Sequence, residues 1–125
     1  MVALRTLDER RAESLAKLCE LIVPGSARVG SVVYVDATLT AMPPEVRDHA
    51  LEAIDALAPA SGSAEELAEH ARTPEFAFVR ALAVEAFYSD FVAPAAPGPG
   101  AWAEIDFNTP LATRLAKDWS YLGIG

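Results

Sequence analysis

The residue types that bind metals or act as nucleophiles are few in this chain and widely separated. His49 and His70 lie on different predicted helices, and neither belongs to an H-x-x-x-H or E-x-x-H pattern of the kind found in helical metal sites. Cys19 is the single cysteine and falls on an apolar helical stripe, where a free thiol usually behaves as a small core side chain. We therefore predict no metal site and no catalytic residue among these three.

Two acidic residues in apolar surroundings are the remaining candidates for chemistry. Asp36 interrupts an apolar run, and Asp90 ends the most apolar predicted helix, two residues after Tyr88. A carboxyl group in such surroundings can act as a general acid or base, with Tyr34 or Tyr88 as the neighbouring hydroxyl. It can equally accept hydrogen bonds from backbone N–H groups or pair with arginine, which is the commoner use. We predict that Asp36 and Asp90 are structural anchors.

The sequence carries none of the short motifs that mark nucleotide, haem or hydrolase sites. It contains no P-loop, no G-x-G-x-x-G, no C-x-x-C-H and no G-x-S-x-G. The glycines of Pro97-Gly98-Pro99-Gly100 alternate with prolines, which lack the N–H groups that a phosphate-binding loop needs. We therefore predict no cofactor on this chain.

The charge balance limits the partners that the chain can bind. Its 125 residues include 10 basic and 18 acidic side chains, for a formal net charge of −8. Nucleic-acid binding depends on clustered lysine and arginine, so a nucleic-acid partner is not expected. No apolar run approaches the roughly 20 residues of a membrane span, and the first residues lack the apolar segment of a signal peptide. We predict one cytoplasmic domain over 1–125, without membrane insertion.

Helix start signals recur along the chain and define the expected elements. Thr6 begins a capping box for a helix ending at Pro24-Gly25, and Ser31 is expected to cap a short helix over 32–40. The β-branched residues 32–35 could form a strand, but the sequence offers no second strand to pair with them. Further helix starts are expected at Pro44, Ser63 and Thr73.

These signals together predict an all-α fold, a small helical bundle of about five to six helices over 1–91. Residues 92–125 are expected to form a long proline- and glycine-rich loop, a short helix and an aromatic tail. The helix over 74–90 is apolar nearly all round, which predicts burial on every side, at the bundle centre or in an interface.

Large aromatic side chains are concentrated in the last third of the chain. Such side chains dominate the energetics of protein interfaces, although they can also fold over their own helices as core. We predict a partner-binding role for these residues: Phe87, Tyr88, Phe91, Trp102, Phe107, Trp119 and Tyr121.

Four short motifs follow one another along the chain in a recognisable order. Leu18-Cys19-Glu20-Leu21-Ile22-Val23-Pro24-Gly25 is similar to an L-x-x-x-I-I-P helix end, and Val35-Asp36 to a following (I/V)-D pair. Phe87-Tyr88-Ser89-Asp90 is similar to an F-Y-S-D-P signature, and Trp119-Ser120-Tyr121-Leu122-Gly123 to a closing W-x-x-L-G. This set resembles the gluconate 2-dehydrogenase subunit 3 family.

The resemblance implies a helical accessory subunit bound to a larger flavoprotein of the glucose-methanol-choline oxidoreductase type. In that family FAD and catalysis belong to the large subunit, and the small subunit supports its folding and, through a twin-arginine leader, its export. Here Arg10-Arg11 lies inside a predicted amphipathic helix, and Phe91 stands where the signature has proline. The resemblance thus implies a divergent, cytosolic member whose FAD is expected on the partner.

Two other functions are compatible with the same residues. A small cofactor-free enzyme of a biosynthetic pathway would use Asp36 or Asp90 with Tyr34 or Tyr88, and it would need an internal pocket. A self-associating helical protein would use residues 87–107 as a homodimer face. The sequence alone leaves both alternatives open.

Overall fold

The computed structural model describes residues 3–104 and 122–123. All the regular structure in these residues is helical, which confirms the predicted all-α bundle. Its elements are α1 (Glu9–Ile22), α2 (Ser26–Val29), α3 (Ser31–Ala41), α4 (Pro44–Leu57), a 3-10 turn (Ala58–Ala60), α5 (Ala64–Ala68), α6 (Pro74–Tyr88) and α7 (Ala101–Glu104).

Three predicted helix starts are confirmed by the capping geometry. Pro44 occupies the first turn of α4, where its missing N–H leaves no helical hydrogen bond unmade. The Ser63 hydroxyl accepts a 3.2 Å hydrogen bond from the Glu66 backbone N–H at the start of α5. The Thr73 hydroxyl accepts a 3.1 Å bond from the Phe76 backbone N–H at the start of α6. Each of these signals is local, so the sequence was sufficient to identify it.

The predicted cap of the first helix is wrong by two residues. Asp8 caps α1, since its carboxylate accepts a 2.8 Å hydrogen bond from the Arg11 backbone N–H. Thr6 instead lies in the extended segment before the helix, where its hydroxyl shares a 2.7 Å hydrogen bond with that of Thr40. The Thr6 backbone N–H donates to Asp36, on α3, so a tertiary contact displaces the local capping box.

The helix expected over 32–40 is present as α3, but Ser31 does not cap it. Gly30 takes the cap position in the left-handed region, at φ 73°, which favours glycine. A Cβ at Gly30 would also lie 2.6 Å from the Cβ of Ala93, so the chain after α6 approaches too closely for a larger residue. Ser31 is then the first helical residue, and its hydroxyl is buried.

The buried residues of the helices form a single core cluster. Cys19 belongs to it, as predicted for a core thiol, with 1% of its surface exposed. An ion pair ties two core helices together at the surface: the Arg11 guanidinium of α1 donates to the Asp55 carboxylate of α4 at 2.8 and 3.0 Å. This fork-like contact fixes the orientation of α1 against α4.

Helix α6 is not buried on every side by the described residues, so its expected place at the bundle centre is wrong, while burial of its outer face in an interface stays a prediction. Val79 and Ala83 face the core and are fully buried, whereas Ala77, Ala81 and Tyr88 on the opposite face are exposed. Alanine raises the apolar character of a helix without requiring burial, so an apolar pattern alone does not place every side of a helix in the core of its own chain. The outer face of α6 is therefore solvent-accessible among the described residues and mixes apolar side chains with the charged residues Glu75, Arg80 and Glu85.

Candidate functional site

The candidate site is the end of α6 and the loop after it, where the sequence places the first aromatic cluster. Phe87 and Phe91 are 2% and 0% exposed, so they belong to the core and present no surface to a partner in this structure. Tyr88 is 47% exposed and packs edge-on against the ring of Phe87, with 5.2 Å between ring centroids. Of these three aromatic residues, Tyr88 is the one whose side chain is exposed to solvent at the end of α6.

Asp90 stops α6 and begins the loop. Its backbone is left-handed, at φ 65°, a conformation that aspartate tolerates better than most residues. Its backbone N–H donates a 3.2 Å hydrogen bond to the Phe87 carbonyl, which closes the helix end. Its carboxylate accepts a 3.0 Å hydrogen bond from the backbone N–H of Trp102, at the far end of the loop. Asp90 thus joins both ends of the loop.

The loop lies so close to Asp90 that only glycine fits beside it. A Cβ added to Gly100 would lie 2.8 Å from the Asp90 carbonyl oxygen and closer still to its carboxylate. Trp102, one helical residue into α7, is half-buried, and its indole N–H donates a 3.0 Å hydrogen bond to the Tyr88 carbonyl. This bond holds the indole nitrogen of Trp102 at the backbone carbonyl of Tyr88, at the end of α6.

Arg28, in α2, forms hydrogen bonds to the backbone of the same loop. Its guanidinium donates to the carbonyl oxygens of Pro97, at 3.2 Å, and of Pro99. The backbone N–H of Ala93 donates a 2.8 Å bond to the carbonyl of Val29 in α2. The loop is therefore bound to α2 as well as to Asp90, and it connects Tyr88 at the end of α6 to Trp102 in α7.

Asp36 anchors the first residues of the chain. Its carboxylate accepts three backbone N–H bonds, from Arg5 at 2.8 Å and from Thr6 and Leu7 at 2.9 Å each. The Arg5 side chain in turn donates a 3.0 Å bond to the carbonyl of Leu122. Asp36 is 3% exposed, and its oxygens are engaged by backbone donors rather than by a second titratable group.

Glu20 is an anchor that the sequence reasoning missed. Its two carboxylate oxygens accept hydrogen bonds from the backbone N–H groups of Gly25, at 2.9 Å, and Ala27, at 3.0 Å. These bonds brace the turn between α1 and α2. The available signal was an acid a few residues before a Pro-Gly turn and the short helix that follows it, where free N–H groups attract a carboxylate.

The titratable groups do not assemble a reactive centre in the described part of the chain. Burial raises the pKa of the Cys19 thiol to about 12, so the thiol stays protonated and unreactive near neutral pH. The hydroxyl of Tyr34 donates a 3.3 Å bond to Glu85. Among residues 3–104 and 122–123 no three histidine, cysteine or acidic side chains converge as a metal site would require.

Three of the predicted partner-binding residues lie outside the described residues: Phe107, Trp119 and Tyr121. The last motif is described only at Leu122 and Gly123. Gly123 is left-handed, at φ 76°, and a Cβ there would lie 2.9 Å from the Arg5 guanidinium. The end of this motif therefore packs against the segment that Asp36 anchors.

No known family, characterised protein or solved structure matches this chain. The resemblance to the gluconate 2-dehydrogenase subunit 3 family accordingly rests on the four motifs alone. Within the described ranges, no helix has both the length and the apolar character needed to cross a bilayer.

Proposed function

We propose that this chain is a non-catalytic small subunit that binds and stabilises a larger FAD-dependent sugar or polyol dehydrogenase. FAD and catalysis belong to the larger subunit in this proposal, and the complex is cytoplasmic. The observation that carries it is the use of the acids in the motifs. The carboxylates of Glu20, Asp36 and Asp90 each accept hydrogen bonds from backbone N–H groups. This use suits a subunit that provides a binding surface and takes no part in catalysis.

The placement of the motifs also supports the proposal. Residues far apart in the sequence meet in the fold: Asp36 holds Arg5, which bonds to Leu122 of the closing motif. Tyr34, next to the second motif, packs edge-on against Phe91, which follows the third, with 5.5 Å between ring centroids. Motifs of a structural subunit are expected to maintain its fold in this way.

The surface available to a partner is aromatic at one end of the molecule. Tyr88 is exposed, and its neighbour Trp102 is held beside it by a hydrogen bond to the Tyr88 carbonyl. Tyrosine and tryptophan are the residues that most often carry binding energy at protein interfaces. Because Asp90 and Arg28 order the loop in advance, docking there costs little additional conformational entropy.

The enzyme alternative has less support from these contacts. It requires an acid and a tyrosine hydroxyl facing a common pocket. The carboxylate of Asp36 faces backbone N–H groups, and the hydroxyl of Tyr34 bonds to Glu85.

Removal of this chain from its native host tests the stabilising role. We expect the amount and activity of one flavin-dependent dehydrogenase to fall while its messenger level is unchanged, because the large subunit lacks its support. Re-expression of the intact chain should restore the enzyme. Unchanged levels of every flavin-dependent sugar or polyol dehydrogenase in the depleted cells would contradict the proposal.

A further inference from the structure

A groove runs between α4 and α6, and among the described residues its lining comes from these two helices alone. Its volume is about 540 Å³, and its floor includes Val46, Ala53 and Phe78. A second hollow of about 210 Å³ adjoins it, shares Phe78, and extends past Ala81. Val46 is 38% exposed, so part of the apolar lining of the larger hollow is open to solvent.

The rim of this groove is acidic. Glu52 and Glu75 border the larger hollow together with His49, and Glu85 borders the smaller one. No lysine or arginine is among the described residues that line either hollow. An apolar floor between acidic edges is complementary to a segment that is apolar on one side and positively charged on its flanks.

The arrangement of the lining residues along α4 and α6 favours a helix as the occupant. The outer face of α6 presents Pro74, Phe78, Ala81 and Glu85 along its length, at the spacing of residues that share one side of a helix. A groove between two helices receives the apolar face of a third helix, whose side chains enter successive hollows. Two hollows on either side of Phe78 provide such successive positions.

We propose that the groove between α4 and α6 binds a basic amphipathic helix presented by another protein. A second copy of this chain is a poorer occupant, because it carries a net charge of −8 to an acidic rim. The same charge disfavours a nucleic acid or an anionic membrane. Binding of a basic helix is a further function beside the proposed subunit role. It depends on the groove and its acidic side chains, whether or not the protein that presents the helix is a flavoprotein.

A binding titration with the purified chain and a synthetic probe tests the inference. The probe is a fluorescent helical peptide of 14 residues, the length of α4, with leucine on one face and lysine on its flanks. We expect micromolar binding at low salt, and no binding of the same peptide with glutamate in place of lysine. Failure of the lysine peptide to bind would overturn the proposal.

Matched charge reversals decide whether the binding belongs to the groove. The double variant Glu52→Lys with Glu75→Lys should bind about tenfold more weakly, because two attractions become repulsions. Glu13→Lys with Glu69→Lys changes the net charge equally at exposed acids away from the groove and should bind within about twofold of the intact chain. Equal weakening in both would show general attraction to an acidic protein and would overturn the proposal.

Two further variants cover the case in which charge reversal disturbs folding. Glu52→Gln with Glu75→Gln removes the rim charge without introducing repulsion and should weaken binding several-fold. Val46→Gln makes the exposed floor polar at a position that bears little on the core, and it should weaken binding similarly. Circular dichroism confirms that each variant is folded, and unchanged binding in both folded variants would overturn the proposal. The outcome is independent of the flavoprotein, so it can fail while the subunit role stands.

Discussion

Two individual side chains, the carboxylates of Asp36 and Asp90, connect parts of the chain that are distant in sequence. Asp36 collects three backbone N–H groups from the segment before α1, and Asp90 bridges the two ends of the loop after α6. Hydrogen bonds to a charged acceptor are stronger than neutral ones, and a buried N–H left without a partner is costly. Stability at these points should therefore depend on one side chain each.

Replacement of Asp36 by asparagine tests its role as an anchor. The amide keeps one acceptor oxygen but turns an NH₂ group towards a backbone N–H, so Asp36→Asn should destabilise the fold by about 2–3 kcal/mol. Urea unfolding measures the loss. Asp48→Asn, at an exposed position of α4, is the matched control and should change stability by less than about 0.5 kcal/mol. Equal effects of the two variants would contradict the anchoring role.

Gly100 offers a second test at the same scale. A Cβ at this position collides with Asp90, so Gly100→Ala should force the loop away and cost about 1–3 kcal/mol. The fluorescence of Trp102 should change at the same time, because its backbone N–H would lose the Asp90 carboxylate. Gly62→Ala is the control, since a Cβ there meets its nearest neighbour at an ordinary 3.6 Å. A loop that accepts both alanines equally would contradict this account.

One contact between helices, the ion pair that joins α1 to α4, is expected to depend on pH. The Arg11 guanidinium of α1 hydrogen-bonds to Asp55 of α4 and holds the pKa of that carboxyl below its usual range. The unfolded chain lacks this pair, so on acidification it takes up the Asp55 proton before the folded chain does. The stabilisation is therefore complete above the usual carboxyl range and is lost as the pH falls through the lowered pKa.

A comparison with Asp55→Asn isolates this contribution. The intact chain should exceed the variant in stability by about 0.5–1 kcal/mol at neutral pH, a modest value because the pair is partly exposed to solvent. The difference should shrink below about pH 4 and in high salt. Unfolding curves at neutral and acidic pH provide the measurement, and a difference that grows on acidification would contradict the assigned sign.

Helix starts show which features of this fold can be predicted from the sequence and which cannot. Pro44, Ser63 and Thr73 act on their own first turns, so their helices are predictable from local residue types. The capping box at Thr6 fails because Asp36, thirty residues away, takes the Thr6 N–H. A local signal gives way wherever a distant side chain competes for the same backbone group.

The candidate site was predictable only in part for a similar reason. Phe87, Tyr88 and Trp102 were chosen by residue type, which does not distinguish a buried ring from an exposed one. Phe87 is in the core and Tyr88 is outside, because they point to different sides of α6. The hydrogen bonds from Arg28 to the carbonyl oxygens of the loop join residues about seventy positions apart, and no local pattern predicts such a contact.

The described part of the molecule has a core of closely packed helices and two surfaces of different character. The aromatic pair Tyr88 and Trp102 lies at the end of α6, and the acidic groove lies between α4 and α6. Neither surface contains a reactive centre among the described residues, and both suit contacts with other proteins. In the proposed complex, Tyr88→Ala should weaken binding of the larger subunit at least about tenfold while leaving the fold intact, because the side chain is exposed.

Affinity purification of the tagged chain from its native host tests whether it is the small subunit of a flavoprotein. We expect a much larger protein to co-purify in stoichiometric amount, and the eluate to show the visible absorbance of bound flavin. Tyr88→Ala, purified in parallel, should recover less of both. Recovery of this chain as a monomer or homodimer, with no stoichiometric partner and no flavin absorbance, would contradict the account.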